Sequence, residues 1–385
     1  MERLTNVIQP YAWGSKLLIA RLCGRPPSES PEAELWMGAH PVAPSRVGSR
    51  SMIEFIEGAS EATLGLKVVK RYGRKLPYLL KLLAAAQPLS LQAHPSLAQA
   101  REGFERENTL GIPLTAAHRN YKDPNHKPEL ICALTPFKAL CGFRAVGDSV
   151  QLLEALGQDA LAKRLANGVK PTFEWLMGLS RPDAAVLVEA VVAACQRHSG
   201  KWDRECANAI ELQKLYPGDI GIVSALLLNL LELKPGEAIY LPAGNLHAYL
   251  GGLGVEVMAN SDNVLRGGLT PKHVDVPELL KVLDFRAGPV AIVQPTREGE
   301  EDVYVTPAPE FRLSRFALTR RSAQPVRRGV EILVCTEGKM TIGTMELKSG
   351  ESVLIPASDG LYALFGQGVV YRVCVNDEGP QPASR

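Results

Sequence analysis

Two spacings of apolar residues divide this chain. Tyr78 to Leu83 is almost continuously apolar, the pattern of a strand buried on both faces. From Leu89 to Ala93 apolar and polar residues alternate, which puts Ser90, Gln92 and His94 on one strand face. Glu34 to Gly38 also alternates, and Leu130 to Leu134 with Phe137 to Phe143 read as paired strands. Ile239 to Leu241, the turn Pro242-Ala243-Gly244-Asn245 and His247 to Leu250 read as strand, turn, strand. Thr63 to Val69 fits a strand or a short helix, and Ala98 to Glu107 is helical.

Near Gly147 the spacing changes to about 3.6. It persists through Val150–Leu156, Leu161–Leu165, Thr172–Leu179, Ala184–Cys195 and Asp203–Leu215 until Pro217-Gly218 stops it. Ser180, with Asp183 three residues on, reads as a helix cap. Strands are expected to resume at Leu226. After 289 the alternation returns at Glu331–Cys335, Met340–Leu347, Ser352–Ile355 and Val369–Val375. GEAIYLPAGNLHAYL from Gly236 aligns with GESVLIPASDGLYAL from Gly350, with Leu361 opposite His247. Two β units of one ancestry follow, and only the first keeps the histidine.

A chain of 385 residues exceeds one ordinary core, so two or three domains are expected. A formal net charge of +2 without a basic tract argues against nucleic acid and an anionic membrane surface. The run Ile220 to Leu233 is too short and too polar to span a bilayer. MERLTNVIQPYAWGS has no basic stretch leading into an apolar core, so no secretory signal is expected. Seven dispersed cysteines without a CxxC pair suit a reducing cytoplasm.

Gln92 and His94 present two donors on one strand face. His247 stands where a turn becomes a strand, and Glu129 follows a rigid His126-Lys127-Pro128. Together they make a mixed nitrogen and oxygen ligand set for a divalent metal. Taken singly, each reads as an ordinary core or surface histidine, or as a solvated or capping carboxylate.

Longer motifs change that balance. Gly236-x5-Pro242-x-Gly244-x2-His247 resembles the second consensus motif of the cupin superfamily, departing at Gly251 where a final asparagine would stand. LSLQAHP, NHKPEL and SDNVLRGGLTPK resemble, in that order, motifs of type I mannose-6-phosphate isomerases; YAWGS and ELWMGAHP are similar to that family's amino-terminal segments. The resemblance covers most of the chain and is weakest in the helical stretch and the last hundred residues. It implies a mainly β fold of two cupin (jelly-roll β-barrel) domains with an α-helical insertion. The expected units are 1–146 plus 218–288 (catalytic), 147–217 (helical) and 289–385 (a degenerate cupin domain that packs or regulates).

The resemblance further implies a zinc-dependent aldose-ketose isomerase that interconverts mannose 6-phosphate and fructose 6-phosphate through an enediolate, on the route to GDP-mannose. One Zn2+ per chain would be held by Gln92, His94, Glu129 and His247. Arg266 and Lys127 would be catalytic, with Glu256, His126 and Asp262 as rivals of Lys127 for the proton. Ser90, Lys272, Glu256, Asp262 and Trp13 would touch substrate, with Trp36 also able to line the cavity. The plain alternative for Arg266 is an ion pair with Asp262 on the same loop. Leu97 departs from a position where the family often has lysine, so another cation would have to attract phosphate. A monomer with a small sugar phosphate as its partner is expected, without nucleic acid or membrane. An iron-dependent cupin dioxygenase and a non-catalytic sugar-phosphate binder are the competing classes. Oxygen uptake would mark the first, and tolerance to loss of His94 or Glu129 the second.

Overall fold

The strand His247–Ala259, thirteen residues long, organises the first of two antiparallel ten-stranded sheets. A computed structural model gives this fold. Its described residues are 1–376, so positions 377–385 of the expected carboxy-terminal unit lie outside them. The second half of the long strand pairs with Tyr78–Ala85 on one side and Glu129–Ala133 on the other. Its first half pairs with Phe137–Phe143 and bridges Gln92 of the short strand Gln92–Ala93. Every residue of Tyr78–Ala85 is buried, as its continuous apolar run requires. Gly254 has to lack a side chain, because a Cβ there would lie 2.7 Å from Ile131 Cδ1 and 3.0 Å from the Cys132 carbonyl.

The second sheet is built on Arg312–Ala323, Glu331–Ile342 and Leu364–Cys374. The strand Glu2–Thr5 joins it, pairing Glu2 with Leu354 and Leu4 with Ser352, and Asn6 donates to Ser352 Oγ at 2.7 Å. Residues from the two ends of the sequence thus share one ladder. Leu80, Leu82, Val255 and Val257 of the first sheet share a core with Leu313, Ile332, Val334 and Val373 of the second.

Five helices, Val146–Ala155, Asp159–Ala166, Val169–Met177, Arg181–Arg197 and Asp203–Leu215, fill the stretch with 3.6-residue spacing. Ser180 Oγ accepts from the Asp183 amide, so that helix begins at the cap its sequence carries. Leu152, Phe173, Val188 and Leu212 from these helices pack in one core with Leu91, Ala93, Leu246, Leu265 and Leu269. Those five flank Gln92, His94, His247 and Arg266 in sequence, so the helices back the segments that carry the candidate site.

Thr63–Val69 takes the helical one of its two readings, divided between Ser60–Leu64 and Leu66–Tyr72 at Gly65, whose φ of 87° interrupts the helix. Three local expectations need correcting. The strands expected at Leu130–Leu134 and Phe137–Phe143 do not pair with each other: Glu129–Ala133 lies between Ala238–Leu241 and the long strand, and Phe137–Phe143 between Leu228–Leu233 and the long strand, which takes both. Leu226 closes the helix Gly221–Leu226 and the strand begins at Leu228, a boundary hidden by an unbroken apolar run. Met340–Leu347 is not one strand. The chain turns at Gly343, with φ 60°, and returns as Met345–Lys348, pairing Ile342 with Met345.

Candidate metal centre and its cavity

His94, Glu129 and His247 come from three separate strands or strand ends, and their ligand atoms lie within 4.8 Å of one another. All three side chains are buried. Nδ1–H of His94 donates to the Asn263 carbonyl at 2.7 Å, and Nδ1–H of His247 donates to the Asn245 carbonyl at 2.9 Å. A carbonyl can only accept, so each Nδ1 carries a proton and Nε2 is the nitrogen left for a metal. His94 Nε2 lies 3.4 Å from Glu129 Oε1, and His247 Nε2 lies 3.5 Å from Oε2. His94 Nε2 is buried without a hydrogen-bond partner. Two neutral imidazole nitrogens and a carboxylate, aimed at one point and held from behind by carbonyls, fit a divalent cation such as zinc.

The electrostatics agree. Burial, followed by the charge of Lys127, pushes His94 down to about 4, so the ring is neutral. Burial alone would raise Glu129, but Lys127 and the two histidines outweigh it and hold the carboxyl well below its ordinary range. Gln92 stands directly opposite His247 on one side and Arg266 on the other. That register sets His247, Gln92 and Arg266 side by side on three neighbouring strands.

Two loops hold this arrangement. The fully buried Asn263 accepts from the Lys122 and Asp123 amides and donates to the Asp123 and Asn125 carbonyls, while its own carbonyl holds His94. At the turn before His247, the Gly244 amide donates to the His94 carbonyl at 2.8 Å. Gly244 has a φ of 78°, and a Cβ there would come 2.9 Å from the Val282 carbonyl, so only glycine fits. Asp219, at the end of the helical stretch, accepts from the amides of Gly221 and Thr270 and so ties the helices to the Arg266–Lys272 loop.

Beside the trio lies a cavity of about 540 Å³. Trp13, Ser90, Gln92, Lys127, Glu129, His247, Glu256, Asp262, Arg266 and Lys272 all line it, with Trp36. His94 stands just behind the wall, against His247 at 5.2 Å between ring centroids. Asp262 pairs with His40 Nε2 at 3.3 Å and not with Arg266, which makes no ion pair among the described residues. His126 is outside the lining and pairs with Glu310 of the carboxy-terminal part at 2.8 Å. Glu256 has both oxygens engaged, one by Lys81 at 2.9 Å and one by the Tyr249 hydroxyl at 2.9 Å. Leu97 opens the helix Leu97–Thr109 and is not part of the cavity wall.

Lys81, Glu34, His40, Lys122 and Tyr249 also line the cavity, and the sequence reading passed over them. Lys81 had a signal. A lysine in a run otherwise apolar on both faces has to find carboxylates, and it finds Glu256 and Glu34, the latter at 3.7 Å. His40 and Lys122 carried no local signal beyond their place inside the quoted motifs.

Residues 1–146 match the family model for the catalytic domain of phosphomannose isomerase type I. The mannose-6-phosphate isomerase of Escherichia coli K12 is 41% identical over 97% of this chain and 99% of its own. Among solved structures, the apo mannose 6-phosphate isomerase of Salmonella typhimurium superposes with a TM-score of 0.92 at 40% identity, covering 98% of this chain and 99% of that one. A mannose 6-phosphate isomerase bound with zinc and yttrium superposes with a TM-score of 0.91 at 39% identity, over 98% of this chain and 99% of that one.

Proposed function

This chain belongs to the type I phosphomannose isomerase family and is a zinc-dependent aldose-ketose isomerase of mannose 6-phosphate and fructose 6-phosphate; we propose the following division of work among its residues. His94, Glu129 and His247, with Gln92 as a neutral fourth donor, hold the metal. The observation that carries this assignment is the pair of Nε2 atoms, freed by carbonyl-bound Nδ1 atoms and turned on one carboxylate. When bound, zinc supplies a Lewis-acidic centre beside the sugar oxygens.

Isomerisation breaks the C2–H bond, forms a C1–H bond, and moves a hydroxyl proton from O2 to O1. Asp262 is the cavity carboxylate best suited to take the carbon-bound proton and return it. Burial would raise its pKa, but the hydrogen bond from His40 and the charges of Lys127 and Lys122 together outweigh this and keep it below the ordinary carboxylate range, hence ionised. Glu256 is less suited, with both its oxygens engaged. Lys127, 2.9 Å from Glu129, stands beside the metal ligands and serves the oxygen side, giving a proton to O1 and taking back the one that O2 loses. Arg266, unpaired and adjacent to Gln92 in register, holds the negative charge that develops on the sugar oxygens. Trp13 and Ser90 shape the sugar site.

At the level of architecture, we read the two sheets as two cupin barrels, with 1–146 plus 218–288 catalytic, 147–217 inserted and 289–385 a degenerate copy. Separate cores within each sheet, Leu83, Ile131, Phe137 and Tyr249 in one and Phe316, Leu333, Ile355 and Val370 in the other, support that reading, with the strand Glu2–Thr5 lent to the second sheet. A cytoplasmic monomer without nucleic-acid or membrane partners is our reading of its setting. Seven unpaired thiols, all but Cys23 buried, support the reducing compartment. Among the described residues, no helix is long and apolar enough to cross a membrane. The test is formation of fructose 6-phosphate from mannose 6-phosphate, lost on chelation and restored by zinc; activity indifferent to both treatments would reject the metal assignment.

A further inference from the structure

We propose that Lys122 is a specificity-determining residue that grips the substrate phosphate, working with Lys272. This deepens the isomerase reading and takes its substrate from it. The lining of the cavity contains five lysine and arginine side chains: Lys81, Lys122, Lys127, Arg266 and Lys272. Two are neutralised within the protein, Lys81 by Glu256 and Glu34, and Lys127 by Glu129. The other three have no ion pair and no side-chain hydrogen bond among the described residues. Of the lining carboxylates only Asp262 acts on one of the three, through the charge of Lys122 and without an ion pair, while its Oδ1 takes the contact with His40.

Three cations without an ion pair stand around one cavity, and Arg266 and Lys122 each repel Lys272. Lys272 registers this, lowered first by burial and then by the charges of Arg266 and Lys122. A bound dianion removes that repulsion, and a phosphate monoester carries roughly two negative charges at neutral pH. The three cations also divide by position. Arg266 is tied by register to Gln92, next to the candidate ligands. Lys122 and Lys272 stand on loops, their backbones fixed by Asn263 Oδ1 at 2.7 Å and Thr270 Oγ1 at 3.1 Å, so their ammonium groups are free to close on an anion. Metal end, arginine, then paired lysines match a sugar phosphate laid with its C1–C2 edge inward and its phosphate outward. The Asn263 side chain that fixes Lys122 belongs to the residue whose carbonyl fixes His94, so the two ends of the site share one spacer.

Steady-state kinetics of the zinc-loaded wild type, Lys122→Met and Lys122→Arg test this. Loss of a charge-assisted contact raises KM for mannose 6-phosphate in Lys122→Met about ten- to hundredfold. Turnover at saturation stays near wild type, the inhibition constant of inorganic phosphate weakens in parallel, and Lys122→Arg restores most of both. The Lys122 side chain is exposed and unpaired, so folding should be unaffected. An unchanged KM and phosphate inhibition in Lys122→Met overturns the proposal. So does a fall in turnover alone. Should the wild type fail to isomerise the sugar phosphate, the isomerase reading falls, while calorimetric binding of inorganic phosphate to wild type and Lys122→Met still decides the role of Lys122.

Discussion

Glu256 faces Lys81 directly across the ladder between the long central strand and its neighbour, and their charged ends meet at 2.9 Å against the catalytic cavity. Burial on its own would lower Lys81, but Glu256 and Glu34 outweigh it and raise the pKa, so the ammonium persists inside the sheet. Removing it strands two buried carboxylates. Lys81→Met should cost about 3–5 kcal/mol in urea unfolding. Adding Glu256→Gln should recover part of the loss, because it removes one uncompensated charge. A Lys81→Met protein as stable as wild type would mean the pair is not desolvated as described.

Arg266→Ala separates chemistry from folding. The guanidinium has no ion pair among the described residues, so the unfolding midpoint should move little. Turnover should fall about 10²–10³-fold if the side chain stabilises the developing anion. Near-wild-type turnover would remove Arg266 from the chemical step.

Asp262 and His40 give a coupled prediction. Asp262→Asn should lower turnover about 10²–10⁴-fold, the range for loss of a general base. His40→Phe keeps the carboxylate but removes the hydrogen bond that holds its pKa down. The acid limb of kcat/KM should therefore move to higher pH in His40→Phe. A pH profile superimposable on wild type would break the link between the two residues.

Glu278 supplies a pH test remote from the metal. Burial would raise its pKa, but the Tyr121 hydroxyl and Arg106, with Lys281, outweigh this and lower it from the ordinary 4.5. A carboxyl depressed in the folded state contributes stability above its unfolded pKa. That contribution is lost as pH falls through the folded value. Wild-type stability should thus drop below about pH 4.5, and Glu278→Gln should flatten that part of the profile. Parallel profiles for the two proteins would reject the contribution.

Much of the candidate site could be read from local chemistry. The turn before His247, the proline-bounded approach to Glu129 and the alternation through Gln92 and His94 each depend on residues close in sequence, and these segments do converge. Lys81 was hidden because a run of six residues was read for burial alone, whereas its meaning lies in Glu256, 175 positions away. The pairing of Asp262 with His40 in place of Arg266 was equally out of reach, since it depends on a partner from the Glu34–Pro41 segment. A boundary failed where a single backbone angle decided it, as at Gly343. The helical stretch was plain in its spacing. Its role behind the Arg266 loop was not, because Asp219 makes that connection through backbone amides that have no sequence signature.

The ladder between Glu2–Thr5 and Ser352–Ile355 has a consequence for how the molecule is made. A ribosome releases the first of these strands long before the second exists, and 346 residues separate Asn6 from the Ser352 hydroxyl it binds. During that interval the early strand has an open edge, and the sheet it will join is missing an inner member. The first sheet has no such wait, since its strands lie between Val7 and Arg266. Vectorial synthesis therefore completes the chemical half of the molecule first and leaves one loose thread, drawn tight only when the distal strands emerge.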